Sequence, residues 1–196
     1  MIKAIIFDCF GVIYPDTLAL IEAKLLTDKD NKQKELIKTL RRQSDAGHIA
    51  RDEFWSRAAN ILGITITQLE DELHNLPKAD WDLLEYVKTL KKTYKTAILS
   101  NVGTGFLERI FDRERPKTDY FHELIASADI GLMKPNQSAY ITTSQRLGVK
   151  PEECVFIDDL QKHIDGAQNC GMKTILYKNF AQIKRELEKL LADPNN

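Results

Sequence analysis

"IIFDCFGVIYP", Ile5 to Pro15, is the stretch on which the reading of this chain turns. An apolar run from Ile2 to Phe7, broken only by Lys3, ends at Asp8 and passes into turn residues at Gly11 and Pro15. A short run bounded in this way predicts a strand buried on both faces. An acid at the junction of a buried strand and a loop is either a cap or a working carboxylate. Two residues on, where a second carboxylate would share the chemistry, stands Phe10.

Runs of the same kind recur at Thr96–Leu99, Leu124–Ala126, Val155–Ile157 and Thr174–Tyr177. Helical spacing lies between and after them: Trp81–Lys92, Gly105–Phe111, Gln137–Leu147, Leu160–Cys170 and Phe180–Leu191. In the last, Ile183, Leu187, Leu190 and Leu191 form one stripe among Lys and Glu. Strand followed by helix, repeated, predicts an α/β fold: a doubly wound parallel sheet of Rossmann-like character. Residues 16–77 break the rhythm. They hold no strand-like run and four helical patterns, Thr17–Leu26, Asn31–Ser44, Arg51–Leu62 and Thr67–Asn75. Asp45-Ala46-Gly47-His48 reads as a turn between two of these, and Asp52 as a cap for the third. The expected division is therefore a core of residues 1–15 and 78–196 with a helical cap, 16–77, inserted after the first strand. The tail from Asp193 to Asn196 is expected to fray.

Composition narrows the class. The 196 residues carry 28 Lys and Arg against 29 Asp and Glu, a formal charge of -1. Such balance exerts no global pull on nucleic acid or anionic lipid. No apolar run approaches the ~20 residues of a membrane span, and the N-terminus lacks the long apolar region and cleavage site of a signal peptide. Cys9, Cys154 and Cys170 show no C-x-x-C spacing and suggest small core residues in a reducing compartment. A cytoplasmic protein, monomer or homodimer, is the expectation.

In an open parallel sheet, ligands bind beyond the carboxyl ends of the strands. The first strand delivers Asp8 there. "TAILSN" delivers Ser100 and Asn101, "VFIDD" delivers Asp158 and Asp159, and Lys134 sits before "PNQSAY", with Pro135 expected in the first turn of the following helix. Three carboxylates at one edge repel unless positive charge lies among them, supplied by Lys134 or by a hard divalent cation such as Mg²⁺. Each feature alone has a plainer reading: Asp8, Asp158 and Asn101 as caps, Lys134 as a surface residue, Cys9 as packing. Their coincidence in order at one edge favours a site. His163 is expected to face solvent, and Arg41-Arg42 a solvated helix face, with Arg41 and Arg42 also the nearest paired cations for an anionic substrate.

These residues resemble the haloacid dehalogenase-like hydrolase superfamily, in the branch with a helical cap after the first strand. "FDCFGVIY", "ILSN", "GLMKPNQSAY" and "VFIDDLQKHIDGAQNCGM" look like its four motifs in order, and the match covers nearly the whole chain. The resemblance implies that Asp8 attacks phosphorus to form an aspartyl-phosphate. It implies Mg²⁺ held by Asp8, the backbone carbonyl of Phe10 and Asp159, with Asp158 in support. Ser100 and the amide of Asn101 would hold phosphate oxygens, and Lys134 would neutralise charge. The substrate would be a small phosphorylated metabolite. Phe10 departs from the phosphatase pattern, in which a second Asp at this place protonates the leaving oxygen and activates water. The expectation is thus a weakened Mg²⁺-dependent phosphomonoester hydrolase. The family's metal-independent 2-haloacid dehalogenases share an aromatic residue at Phe10's place, with Ser100, Asn101, Lys134 and Tyr140 compatible. They differ at Val12 and in the Asp158-Asp159 pair. A catalytically impaired metal- and phosphate-binding regulatory module is the third reading.

Overall fold

The computed structural model describes residues 1–75, 79–111 and 117–193. The elements run β1 (Ala4–Phe7), α1 (Thr17–Leu25), α2 (Asn31–Asp45), α3 (Arg51–Leu62), α4 (Ile66–Asn75), α5 (Trp81–Leu90), β2 (Lys95–Ser100), α6 (Phe106–Ile110), α7 (Lys117–Tyr120), β3 (Glu123–Ala126), α8 (Ser127–Ile130), α9 (Gln137–Arg146), β4 (Cys154–Asp158), α10 (Gln161–Gln168), β5 (Lys173–Leu176) and α11 (Phe180–Ala192). The five strands form one parallel sheet in the order β3-β2-β1-β4-β5.

Alternate strand residues supply the two halves of the core. Ile5, Phe7, Ile98, Val155 and Ile157 pack under α5 and α11. Ala4, Ile6, Leu99, Cys154 and Phe156 pack under α9 and α10 on the other face. Helices on both faces explain why these strands read as unbroken apolar runs instead of alternating ones. The strand order reverses beside β1: β2 and β3 extend the sheet one way, β4 and β5 the other. The carboxyl ends of β1 and β4 therefore open onto the crevice where such sheets bind ligands. Register sets the two ends level, with Phe7 opposite Ile157 and the Asp8 amide donating to the Ile157 carbonyl at 2.8 Å.

Helices α1–α4 form the insertion and have an apolar cluster of their own, centred on Ile21, Ile37, Leu40, Ala58 and Leu69. The chain leaves and re-enters the core at nearly one point, where the Asp80 amide donates to the Ile13 carbonyl at 2.8 Å. The expected division at 77/78 falls on residues 76–78, outside the described ones, as does the tail from residue 194. Two local expectations are corrected. The N-cap of α3 is Ala50, and Asp52 lies inside the first turn without capping it. Pro135 precedes α9, whose N-cap is Asn136, its side chain accepting from the Ser138 amide. An Asn two residues before a free amide is the stronger start signal, and it displaces the proline by two positions. Short α7 and α8 have no periodic signature in the sequence, because four residues make barely one turn.

Candidate active site

Asp8, one residue past β1, is the centre of the site and only 6% exposed. Its Oδ1 accepts from the Cys9 amide at 2.6 Å and lies 2.9 Å from Lys134 Nζ. The same ammonium reaches Asp158 Oδ2 at 2.7 Å, so one fully buried lysine is shared by two carboxylates. Burial opposes the charge on Lys134, yet Asp8 and Asp158 together hold its pKa above the usual lysine value. Between the carboxylates the sharing is unequal. Burial works against charge on Asp158, but a bond from His163 and the pull of Lys134 outweigh it and bring the group to about 2. For Asp8 burial wins: despite Lys134 its carboxyl is pushed up to about 6, with Asp158 adding repulsion.

Asp158, at the end of β4, is fully buried and fully committed. Oδ1 accepts from the Leu160 amide at 2.9 Å, and both oxygens lie 3.0 Å from His163 Nδ1. His163 is thus buried, not exposed as expected. One turn into α10 its ring falls back over the strand end that precedes the helix. The Asp158–His163 spacing of five residues across a strand–helix junction was the signal available. Donor atoms of Asp8, Asp158 and His163 lie within 4.8 Å of one another, a grouping that also suits a metal ion. The Lys134 ammonium already supplies the positive charge between the two carboxylates, however. The Asp159 carboxyl lies against Gly11, and its buried Oδ1 has no hydrogen-bond partner among the described residues. Burial, then the nearby Asp158 charge, raises its pKa above the ordinary carboxylate value.

Gly11 is required for this arrangement. Its φ is +85°, and a Cβ there would overlap the Asp159 carboxylate. Gly11→Ala is expected to cost roughly 1–3 kcal/mol through strained backbone and a displaced Asp159. A urea midpoint equal to that of the parent protein would contradict this placement.

Ser100, closing β2, is buried beside Asp8 and its hydroxyl helps hold that carboxylate. The Asn101 side chain is engaged elsewhere. Its Oδ1 accepts from the Lys134 amide at 2.8 Å and its Nδ2 donates to the Lys134 carbonyl at 2.9 Å. This pair of bonds anchors the lysine loop to β2, so Asn101 positions Lys134. Cys9 is fully buried and burial raises its thiol pKa well above the usual value, which leaves it inert as a nucleophile.

A cavity of about 270 Å³ opens over these groups. Phe10 lines it and packs edge-on against Phe106, ring centres 5.5 Å apart, so its ring faces inward. Phe106 in turn meets Trp55 of the cap at 6.5 Å, and Trp55 meets Phe54 at 4.9 Å. These rings make an apolar wall that joins core to cap. Arg41 lines the cavity too, half-buried instead of solvated. Its two terminal nitrogens bind both oxygens of Asp16, at 2.8 and 2.9 Å, and Glu22 at 3.2 Å. With its charge spent on two carboxylates it is a strut of the cap, while Arg42 is exposed. Sequence reading passed over Asp45, a cap carboxylate that lines the same cavity and that burial pushes up to about 7.

A family model described as haloacid dehalogenase-like hydrolase matches residues 2–171, and the chain belongs to that family. Two characterised relatives align with most of it. A glyceraldehyde 3-phosphate phosphatase from Methanopyrus kandleri is 28% identical, covering 89% of this chain and 83% of that one. A D-ribitol-5-phosphate phosphatase from Bacteroides thetaiotaomicron is 27% identical, covering 97% and 99%. Among solved structures, a family enzyme from B. thetaiotaomicron in complex with magnesium and inorganic phosphate superposes with a TM-score of 0.73. It has 20% identity and covers 93% of this chain and 99% of that one. The L-2-haloacid dehalogenase from Xanthobacter autotrophicus gives 0.63 at 22% identity, covering 99% and 85%. Among the described residues no helix is long and apolar enough to cross a membrane.

Proposed function

We propose that this protein is a Mg²⁺-dependent phosphomonoesterase acting on a small phosphorylated metabolite through an aspartyl-phosphate on Asp8. The observation that carries the reading is the unpartnered, buried Oδ1 of Asp159 beside Gly11. A buried acidic oxygen without a partner, one residue past Asp158, is costly without a cation and useful with one. Hard oxygen donors suit Mg²⁺. Asp8, the Phe10 carbonyl and Asp159 would hold the ion, with Asp158 supporting the site from behind through Lys134. Bound there, Mg²⁺ would reduce the repulsion between carboxylate and phosphate and stabilise charge on the transferring group. Both phosphatase relatives and the magnesium–phosphate complex support the reading.

The residues divide the work. Asp8 Oδ1 is taken up by the Cys9 amide and Lys134, which leaves Oδ2 to attack phosphorus. The P–O bond to the leaving group breaks as the P–O bond to Asp8 forms. Water then attacks the same phosphorus, the bond to Asp8 breaks, and inorganic phosphate and the carboxylate are released. The Ser100 hydroxyl and the backbone amide of Asn101 would bind phosphoryl oxygens, since the Asn101 side chain is committed to the lysine loop. Lys134 would hold negative charge on nucleophile and phosphoryl group. A cavity of about 270 Å³ lies near the lower limit for ligand sites and suits a small organic phosphate whose carbon chain meets the aromatic wall.

Phe10 favours a second reading, metal-free displacement of halide from a 2-haloacid, because attack on carbon leaves no oxygen to protonate. The two readings part on metal. Phosphate release from a panel of phosphomonoesters is expected with Mg²⁺ and is expected to be lost on adding chelator and restored by excess Mg²⁺. Activity indifferent to chelator, or halide release without metal, would overturn the proposal.

A further inference from the structure

Phe10 can neither donate nor accept the proton that phosphomonoester cleavage requires, and the cavity contains a carboxyl placed to take over. We infer that Asp45, carried by the cap, is the general acid and base of this site, an inference that rests on the phosphomonoesterase reading.

Three observations place it. Asp45 is the last residue of α2 and lines the cavity that Asp8, Ser100 and Lys134 line from the core. Its backbone is fastened to the core: Ser127 Oγ, at the start of α8, donates to the Asp45 carbonyl at 2.6 Å and accepts from the Val102 amide at 3.1 Å. The helix is stopped immediately beyond. Gly47, at φ +75°, and His48 donate to the carbonyls of Ser44 and Gln43 in a Schellman turn, which fixes where the final helical side chain stands. Asp45 is therefore held against the loop after β2, whose first residues are the proposed phosphate cradle.

Among the described carboxylates lining the cavity, Asp45 is the one left free for proton transfer. Asp8 is the nucleophile. Asp16 accepts two bonds from Arg41 and one from the Ala19 amide, which together hold it ionised. The Asp45 carboxyl makes no hydrogen bond or ion pair among the described residues. The groups acting on it are Arg41 on its own helix, Asp16 ahead of α1, and Asp8 and Lys134 on the core. Burial is the largest influence and raises it to about 7, with Arg41 and Lys134 opposing and Asp16 and Asp8 reinforcing. Its position at a helix C-terminus disfavours the anion further. A carboxyl poised near neutrality serves both directions of transfer. Protonated, it gives its proton to the leaving oxygen as the P–O bond breaks. Ionised, it takes a proton from the water that attacks the aspartyl-phosphate, and the cycle closes with the acid restored.

The test uses the full chain with Mg²⁺, and Asp45→Asn, which removes no hydrogen bond. With alkyl phosphomonoesters the variant is expected to lose about 10²–10⁴-fold in kcat at little change in KM, and to lose the limb of the pH profile near neutrality. With 4-nitrophenyl phosphate, whose leaving group needs no proton, it is expected to release one equivalent of nitrophenol in a burst and then stall. Adding Phe10→Asp to Asp45→Asn is expected to restore at least about tenfold of the lost rate, which a merely structural defect would not allow. Asp45→Asn turning over at the parental rate with the parental pH profile overturns the assignment while leaving the phosphomonoesterase reading intact. Absence of phosphate release from the unmodified protein on every ester overturns both.

Discussion

Asp8→Asn is expected to abolish turnover, by at least about 10⁴-fold for loss of a nucleophile, and yet to stabilise the metal-free protein. The second half follows from the site's electrostatics. The folded pKa of Asp8 stands at about 6 against an ordinary 3.8, because burial outweighs its share of Lys134. A group whose pKa is raised on folding favours the native state below its unfolded pKa and loses that contribution as pH rises through the folded value. At pH 7 the charged Asp8 therefore burdens the native state by an amount on the order of 2–3 kcal/mol. Asparagine carries no such burden. Urea midpoints are expected to be higher for Asp8→Asn at pH 7, with the difference shrinking between pH 6 and 4 and gone below. Added Mg²⁺ is expected to stabilise the parent protein more than the variant. Equal midpoints across this range would show that Asp8 is not strained by its surroundings.

Lys134→Met is expected to have the opposite effect on stability. The ammonium is 2.9 Å from Asp8 and 2.7 Å from Asp158, with its side chain fully buried. Methionine keeps much of the volume and removes the charge, which leaves two carboxylates facing one another away from water. Breaking a buried pair in this way costs about 3–5 kcal/mol. Asp158 then keeps the bond from His163 but loses the pull of Lys134, and its pKa is expected to rise. Combining Lys134→Met with Asp158→Asn is expected to recover part of the loss, since the second change removes one of the stranded charges. A Lys134→Met protein as stable as its parent would mean that the three groups do not act as a unit.

The core was legible because doubly covered strands write themselves as unbroken apolar runs, and all five stand within two residues of where those runs predict them. The insertion was legible through helical spacing and the absence of any strand-like run, and all four of its helices begin and end within one residue of the expected limits. The placement of Asp8, Ser100, Asp158 and Asp159 at strand ends was legible, because topology alone brings strand ends together, and Lys134 was legible ahead of α9. What could not be read was the partnership of side chains across elements. His163 appears solvent-facing until α10 is laid back over β4. Arg41 appears solvated until Asp16 and Glu22 are brought to it from before and within α1. Asp45 appears as turn punctuation because its role depends on the cap docking over β2 through Ser127, 82 residues further along the chain. Phe10 kept its ambiguity for the same reason: residue type announces the missing acid, but only the fold shows its ring on Phe106 and another carboxyl across the cavity.

The central claim is covalent phosphorylation of Asp8, and acid-quench trapping tests it most directly. The protein is mixed with Mg²⁺ and a phosphomonoester bearing labelled phosphate, stopped in acid within one turnover, and digested for peptide mapping. Label is expected on the peptide containing Asp8, absent when chelator is present, absent in Asp8→Asn, and accumulating in Asp45→Asn. Turnover of the ester with no labelled protein, or label on any other residue, would contradict it.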